Sequence, residues 1–293
     1  LFYPIWTFFL AGYWGGETFG SGSPLPVLSF GFLGTAAALS LTAGSIFIFN
    51  QIRDIETDRV NEKLFFLSEG IITVRTAYIE AFLLAAGGAG LGFILGVRPG
   101  MLLLILLFIS GWLYNYPPAS WKDHAVMGMV TNAAAGLFIY SLGWYAGGGV
   151  TWIPVRVIAY TLAGASVYLN TTLPDRKGDG ATGKNTFGVT YGVKRTAVWA
   201  LILETATVAA AAYFQDWLLL ISSVCMLPFF VYGAVKAGVR EITRATKLSV
   251  LALALAVCIV YPFYLIPVVS VFFLSKWYYH VRFGMNYPSF KTS

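Results

Sequence analysis

The stretch FNQIRDIETDRVNEK, residues 49–63, carries seven ionisable side chains and follows directly on a long run with no charge. Within it Asn50, Asp54 and Asp58 recur every four residues. On a helix each step of four advances about 40° net, so the three fall within roughly an 80° arc, each about 6 Å above the last. Two ionised carboxylates at that spacing repel by about 3 kcal/mol at an effective dielectric near 20, and a divalent cation would reverse the penalty. The alternative is a solvated helix end with intrahelical ion pairs, as RDIETDR alone would suggest.

What precedes the stripe sets the fold class. Of the 293 residues 58% are hydrophobic and 11% charged, and the mean hydropathy is +0.72. A soluble domain could not hide that much apolar surface from water. Continuously apolar segments of membrane-crossing length recur at about 3–19, 27–52, 74–96, 100–116, 125–146, 153–173, 195–213, 216–235 and 248–274. They do not alternate as barrel strands must. The expectation is an all-α polytopic membrane protein of nine transmembrane helices, forming a single domain over 1–293. The first span has no basic segment ahead of it and is expected to be a transmembrane helix, not a signal peptide.

Fourteen of the 19 lysines and arginines fall in alternate loops on one side of these spans. The positive-inside rule makes that side cytoplasmic. It places the amino terminus and the loops at about 53–73 and 174–194 inside, and the carboxyl terminus outside. The net charge of +6 is therefore a topology signal, and nothing in the loops resembles a nucleic-acid-binding module. Gly88, Gly92 and Gly96 form a small-residue stripe for close helix packing, and Pro228, Pro262 and Pro267 are expected to kink or break spans. Cys225 and Cys258 lie in apolar segments and read as buried, unpaired residues with no disulfide framework.

A second acidic pair, Asp175 and Asp179, repeats the four-residue spacing in LPDRKGDGATGKNTFGVTYG, residues 173–192. Either the sixth helix continues past Pro174 and puts both on one face, or a turn rich in Gly178, Gly180 and Gly183 brings them together. Both clusters reach the same membrane side from helices two and six. Carboxylates without nearby His or Cys favour a hard ion, Mg²⁺ in particular, shared with a substrate's phosphates. Zinc is disfavoured because His124 and His280 are single and far apart. Two such pairs at helix ends make the solvated-face reading a minor one.

As a set these residues resemble the UbiA superfamily of intramembrane prenyltransferases. The first motif, NxxxDxxxD, is matched by Asn50, Asp54 and Asp58. The second, DxxxD followed by a GKxT-like segment, is matched by Asp175, Asp179, Gly183, Lys184 and Thr186. A third segment, YNYPPASWK, is similar to the family's tyrosine, proline and lysine patch through Tyr114, Pro118 and Lys122. The resemblance implies nine helices around a central cavity open sideways to lipid, with polar cap loops over its cytoplasmic mouth. It also implies Mg²⁺-dependent transfer of an isoprenyl chain from a polyprenyl diphosphate to a lipophilic acceptor. The metal would be held by Asn50, Asp54, Asp58, Asp175 and Asp179. The diphosphate would meet Asn50, Lys122, Lys184, Tyr114, Arg53 and Arg59, and the catalytic residues would be Asp54, Asp58, Asp175 and Asp179. An aromatic quinone precursor is the expected acceptor, with geranylgeranylglyceryl phosphate or a tetrapyrrole as the alternative, and no obligate protein partner is implied. Departures are the absence of a basic residue in the first span and a short loop after Asp58. Phosphatidyl transfer, which also uses paired DxxxD carboxylates, would need a DGxxAR segment that is absent. A cation-coupled transporter would place acids such as Glu80 or Glu204 near the bilayer midplane.

Overall fold

The computed structural model describes residues 2–22, 29–60 and 65–285, with the side chains of Phe2 and Phe65 left out. Lys63 and Lys291 lie outside the described residues. The chain is an all-α membrane bundle, with only an isolated parallel bridge, His124 to Asn185, among the described residues. Its helices are α1 (Phe2–Phe19), α2 (Phe30–Val60), α3 (Phe65–Ser68), α4 (Val74–Leu95), α5 (Val97–Leu106, continued by a π turn over Leu107–Leu113), α6 (Ala125–Ala146), α7 (Val157–Thr171), α8 (Arg176–Ala181), α9 (Phe187–Tyr213), α10 (Trp217–Lys236), α11 (Val239–Val260) and α12 (Leu265–Phe283). Six of them, α2, α4, α6, α9, α10 and α11, are long and apolar enough to cross a membrane by themselves.

Each expected span coincides with a helix, but the ninth does not hold as drawn. The apolar run 248–274 is two helices, because Pro262 lacks the N–H that would continue α11 and forces the residue before it out of the helical region. Tyr261 sits at φ −120°, ψ 80°, and a short 3₁₀ turn, Pro262–Tyr264, leads into α12. The far end of α12 comes back to the cap beyond α2, where Phe66 of α3 meets the rings of Tyr279 and Phe283 at 6.2 and 5.4 Å. The described carboxyl end therefore lies at the same end of the bundle as the α2 cap, not at the opposite one. Arg98 and Arg156 are then the only described basic residues at the other end. There Arg98 reaches the carbonyl of Gly149 at 3.1 Å and Arg156 lies 3.5 Å over the ring of Phe19.

Small residues set the tightest helix contacts. A Cβ on Gly88 of α4 would lie 2.4 Å from Thr42 Oγ1 of α2, so the expected stripe does bring two helices together. A closer contact went unread in the sequence. Cβ atoms on Gly12 or Gly16 of α1 would come within 2.1 and 2.3 Å of carbonyl oxygens of α6, and those on Gly143 of α6 or Gly147 at its C-cap within 1.9 and 2.1 Å of carbonyls of α1. Cys225 is exposed on the outside of the bundle instead of buried, Cys258 is half-buried, and both are free. Pro228 stays inside α10, whereas α9 is interrupted at Gly192, whose φ of 74° and ψ of 175° only glycine adopts without strain. Ahead of the break, Gly188 N–H donates to Thr172 Oγ1 at 3.0 Å, which ties the start of α9 to the end of α7.

Candidate active site

The helices surround a cavity of about 450 Å³. Apolar residues such as Ile5, Phe8, Phe47, Leu106 and Leu253 make up most of its wall, and Asn50, Tyr114 and Tyr168 stand among the polar exceptions. Asn132 and Tyr168 stand beside Tyr114 in the same wall. Glu204 also lines the wall and is only 2% exposed, while Glu80 faces outward.

Above the apolar run of α2 the helix continues to Val60 without interruption. Asn50, Asp54 and Asp58 therefore do share a face. The second acidic segment is built differently. α7 ends at Thr171, and the chain turns and restarts as the short α8, with Asp175 at its N-cap. Asp179 N–H bonds to the carbonyl of Asp175 at 2.9 Å, and Lys184 N–H folds back on the carbonyl of Asp179 at 2.9 Å. The loop after α5 is tied to this segment through Asn185 N–H, which donates to the carbonyl of Asp123 at 2.9 Å. Thr57 of α2 and Thr182 exchange a hydroxyl bond at 3.2 Å. Three segments remote in sequence are thus sewn together by backbone and hydroxyl bonds.

Their charged groups meet at one atom. Lys122 Nζ is 2.7 Å and Lys184 Nζ 2.5 Å from Asp54 Oδ1, and Lys184 also lies 3.8 Å from Asp179 Oδ1. Asp179 Oδ2 accepts from Thr186 Oγ1 at 3.2 Å. Lys122, Asp58 and Asp179 are all buried, at 4%, 9% and 7% exposure. Burial alone would raise the Asp54 carboxyl, but the two ammonium groups outweigh it and hold the group below its ordinary value. Among the described residues Asp58 has no ion pair of this kind: burial first, then the charge of Asp54, pushes it up to about 7. Burial likewise raises Asp179 and pulls Lys122 down to about 8.

Asp175 is half-buried at the edge of this group, near enough to act on both Asp58 and Asp179. The two arginines stand apart. Arg53 faces Asp123 at 3.9 Å. Arg59 is exposed and held by Glu56 at 2.9 Å and by the carbonyl of Ser68 at 3.1 Å. Sequence reasoning missed Asn115, which is fully buried and accepts a bond from Asn50 Nδ2 at 3.1 Å.

The donors available to a cation are oxygens of Asn50, Asp54, Asp58, Asp175 and Asp179. Among the described residues no three acidic, histidine or cysteine side chains form a ready cage. That donor set fits Mg²⁺, which characteristically takes one or two carboxylates and completes its shell with water and substrate phosphates. With two ammonium groups beside it, the mouth is suited to an anion that brings its own metal.

Fold and site together define an intramembrane protein with an apolar chamber beneath a buried lysine and aspartate cluster. The chain belongs to the UbiA prenyltransferase family, whose profile matches residues 5–249. It is 25% identical over 177 residues to a chloroplastic chlorophyll synthase of Avena sativa, covering 56% of this chain and 46% of that protein. It is 29% identical over 184 residues to a probable homogentisate phytyltransferase 2 of Oryza sativa subsp. japonica, covering 59% and 48%. The matches thus span about half the length of these curated relatives. A UbiA homolog from Archaeoglobus fulgidus, solved bound to GPP and Mg²⁺, superposes with a TM-score of 0.65 at 23% identity, over 86% of this chain and 95% of that one. This likeness bears on the fold.

Proposed function

We propose that the protein transfers an isoprenyl chain from a prenyl diphosphate to a lipophilic acceptor, with Mg²⁺ bound at the polar mouth. The observation that carries this reading is the convergence of Lys122 and Lys184 on Asp54 Oδ1 at the edge of a largely apolar cavity. Heterolysis of the allylic C1–O bond puts the electron pair on the diphosphate. The two ammonium groups can leave Asp54 for the phosphate oxygens and stabilise the charge that develops there. Bound Mg²⁺ would neutralise the same leaving group, held through oxygens of Asn50, Asp54, Asp58, Asp175 and Asp179. Apolar walls take the prenyl chain and keep water from C1. A nucleophilic atom of the acceptor then bonds to C1 and sheds its proton.

The chlorophyll synthases among the relatives support a tetrapyrrole acceptor, the alternative reading of the sequence, ahead of the aromatic quinone precursor expected first. The homogentisate phytyltransferases keep an aromatic acceptor as the second reading. The concentration of basic residues around the mouth supports a cytoplasmic orientation. The test is to incubate purified protein with prenyl diphosphates against tetrapyrrole, aromatic and glycerol-phosphate acceptors, following diphosphate release and product mass. Mg²⁺-dependent release with a prenylated product is expected. Cation flux in proteoliposomes without diphosphate consumption would replace this reading with a transporter.

A further inference from the structure

We propose that Asn115 is a positioning residue that decides which atom of the Asn50 carboxamide is presented at the diphosphate mouth. The inference rests on the metal-binding reading above.

The π turn that closes α5 departs from the regular backbone ladder. There Tyr114 N–H reaches back five residues to the carbonyl of Ile109 at 2.9 Å, while Asn115 N–H reaches only three, to Trp112 at 3.1 Å. In a regular α-helix those two N–H groups would serve the carbonyls of Ser110 and Gly111. Both carbonyls lose their backbone donors, and the turn is buried at both residues. The side chain of Asn115 replaces them, its Nδ2 donating to Ser110 O and to Gly111 O at 3.0 Å each.

The consequence for Asn50 follows from hydrogen-bond polarity. Only the NH₂ of a carboxamide can donate, so two carbonyl partners fix the orientation of the Asn115 amide without reference to Asn50. Its Oδ1 must then be the atom 3.1 Å from the Asn50 side chain. Two acceptor oxygens cannot bond to each other, so Asn50 gives its Nδ2 to Asn115. The atom of Asn50 left for the cavity it lines is the carbonyl oxygen, the atom a cation can use. With this lock removed, the Asn50 amide could rotate and turn a hydrogen-bond donor toward the metal.

Asparagine suits the position because it combines two donors with one acceptor. Aspartate has no proton to give the two carbonyls, and serine can serve only one. Outer partners that orient a metal ligand characteristically affect metal affinity by about 10-fold to 100-fold. Unusual π turns are found disproportionately at functional sites, and this one builds the bracket for a motif residue on another helix.

The experiment is Mn²⁺ titration of the purified full chain in detergent, read by electron paramagnetic resonance. The variants are Asn115→Ser, Asn50→Ala, their combination, Asn50→Asp and Asp54→Asn. Asn115→Ser is expected to weaken Mn²⁺ binding roughly 10-fold, but by less than about twofold when Asn50 is already alanine, because the effect passes through that residue. Asn50→Asp leaves Asn115 intact and carries the test if the serine variant does not fold. Its carboxylate would face the Asn115 oxygen without a proton, so it is expected to bind Mn²⁺ no more tightly than wild type despite the added charge. The proposal is overturned if Asn115→Ser is neutral, if it acts equally without Asn50, or if Asn50→Asp binds more tightly. Wild type that binds no Mn²⁺, or an Asp54→Asn variant that binds it unchanged, would sink the metal reading itself, and this inference with it.

Discussion

Replacing Lys122 by methionine isolates the electrostatic part of the proposed chemistry. Lys122 Nζ lies 2.7 Å from Asp54 Oδ1, where two unit charges attract by about 6 kcal/mol at an effective dielectric near 20, before desolvation is counted. Desolvation opposes much of this, as the downward pull on the Lys122 ammonium to about 8 indicates. Methionine keeps most of the stem's volume and leaves Asp54 its second partner, Lys184, at 2.5 Å. The variant should therefore fold, with only a modest fall in its thermal midpoint in detergent. Catalysis should suffer far more. As C1–O breaks, the leaving group gains negative charge in a site that excludes water. Loss of one well-placed donor there costs about 3–4 kcal/mol, or roughly 10²-fold to 10³-fold in kcat. The assay is diphosphate release coupled to a pyrophosphatase, at saturating donor and acceptor. Lys122→Arg should fall between the two proteins, since it retains charge but not the compact ammonium geometry. A folded Lys122→Met enzyme with kcat within about threefold of wild type would show that this lysine does not act on the leaving group.

Asp54→Asn should abolish measurable turnover, because it removes a metal oxygen and takes from Lys122 and Lys184 the carboxylate they share; diphosphate release is the readout. Cation binding should depend on pH, because Asp58 must lose a proton to become a ligand and burial holds it at about 7 in the metal-free protein. Apparent Mn²⁺ affinity should fall by up to about tenfold per unit as pH drops below 7 and level off above it, a trend checked by titration at pH 6, 7 and 8. Gly192→Ala should destabilise the protein by roughly 1–3 kcal/mol, since alanine at φ 74°, ψ 175° is strained; thermal unfolding in detergent would register it. Gly143→Leu should prevent correct assembly altogether, because even a Cβ at that position would fall 1.9 Å from the carbonyl oxygen of Phe9, and monodispersity on size exclusion would report the failure.

The acidic stripe on α2 was legible because it depends on one helix only: the period that places Asn50, Asp54 and Asp58 on one face continues past the apolar run to Val60. The other half of the site depends on how chain segments meet, and there residue spacing says less. The spacing of Asp175 and Asp179 suggested either a continued helix or a glycine-rich turn. The chain does something between the two, breaking after Thr171 and restarting as α8. Likewise, Lys122 and Lys184 lie 62 residues apart in sequence, and bonds between chain segments, such as Asn185 N–H to the carbonyl of Asp123 and Thr57 to Thr182, put both beside the same carboxylate oxygen. The ninth span misled for a related reason. Hydropathy measures transfer into lipid and is indifferent to direction, so an apolar run that turns at Pro262 looks the same as one that goes straight through. Asn115 was hidden more deeply, since its role exists only once a π turn has orphaned two carbonyls, and nothing in the letters YNYPP marks where a helix will slip its register. Local periodicity thus reports which side chains a helix will offer, while the atoms those side chains present are set by backbone irregularities elsewhere in the chain. For this protein the proposed orientation of the Asn50 oxygen is the sharpest instance, because it depends on two carbonyls, at Ser110 and Gly111, in the π turn after α5.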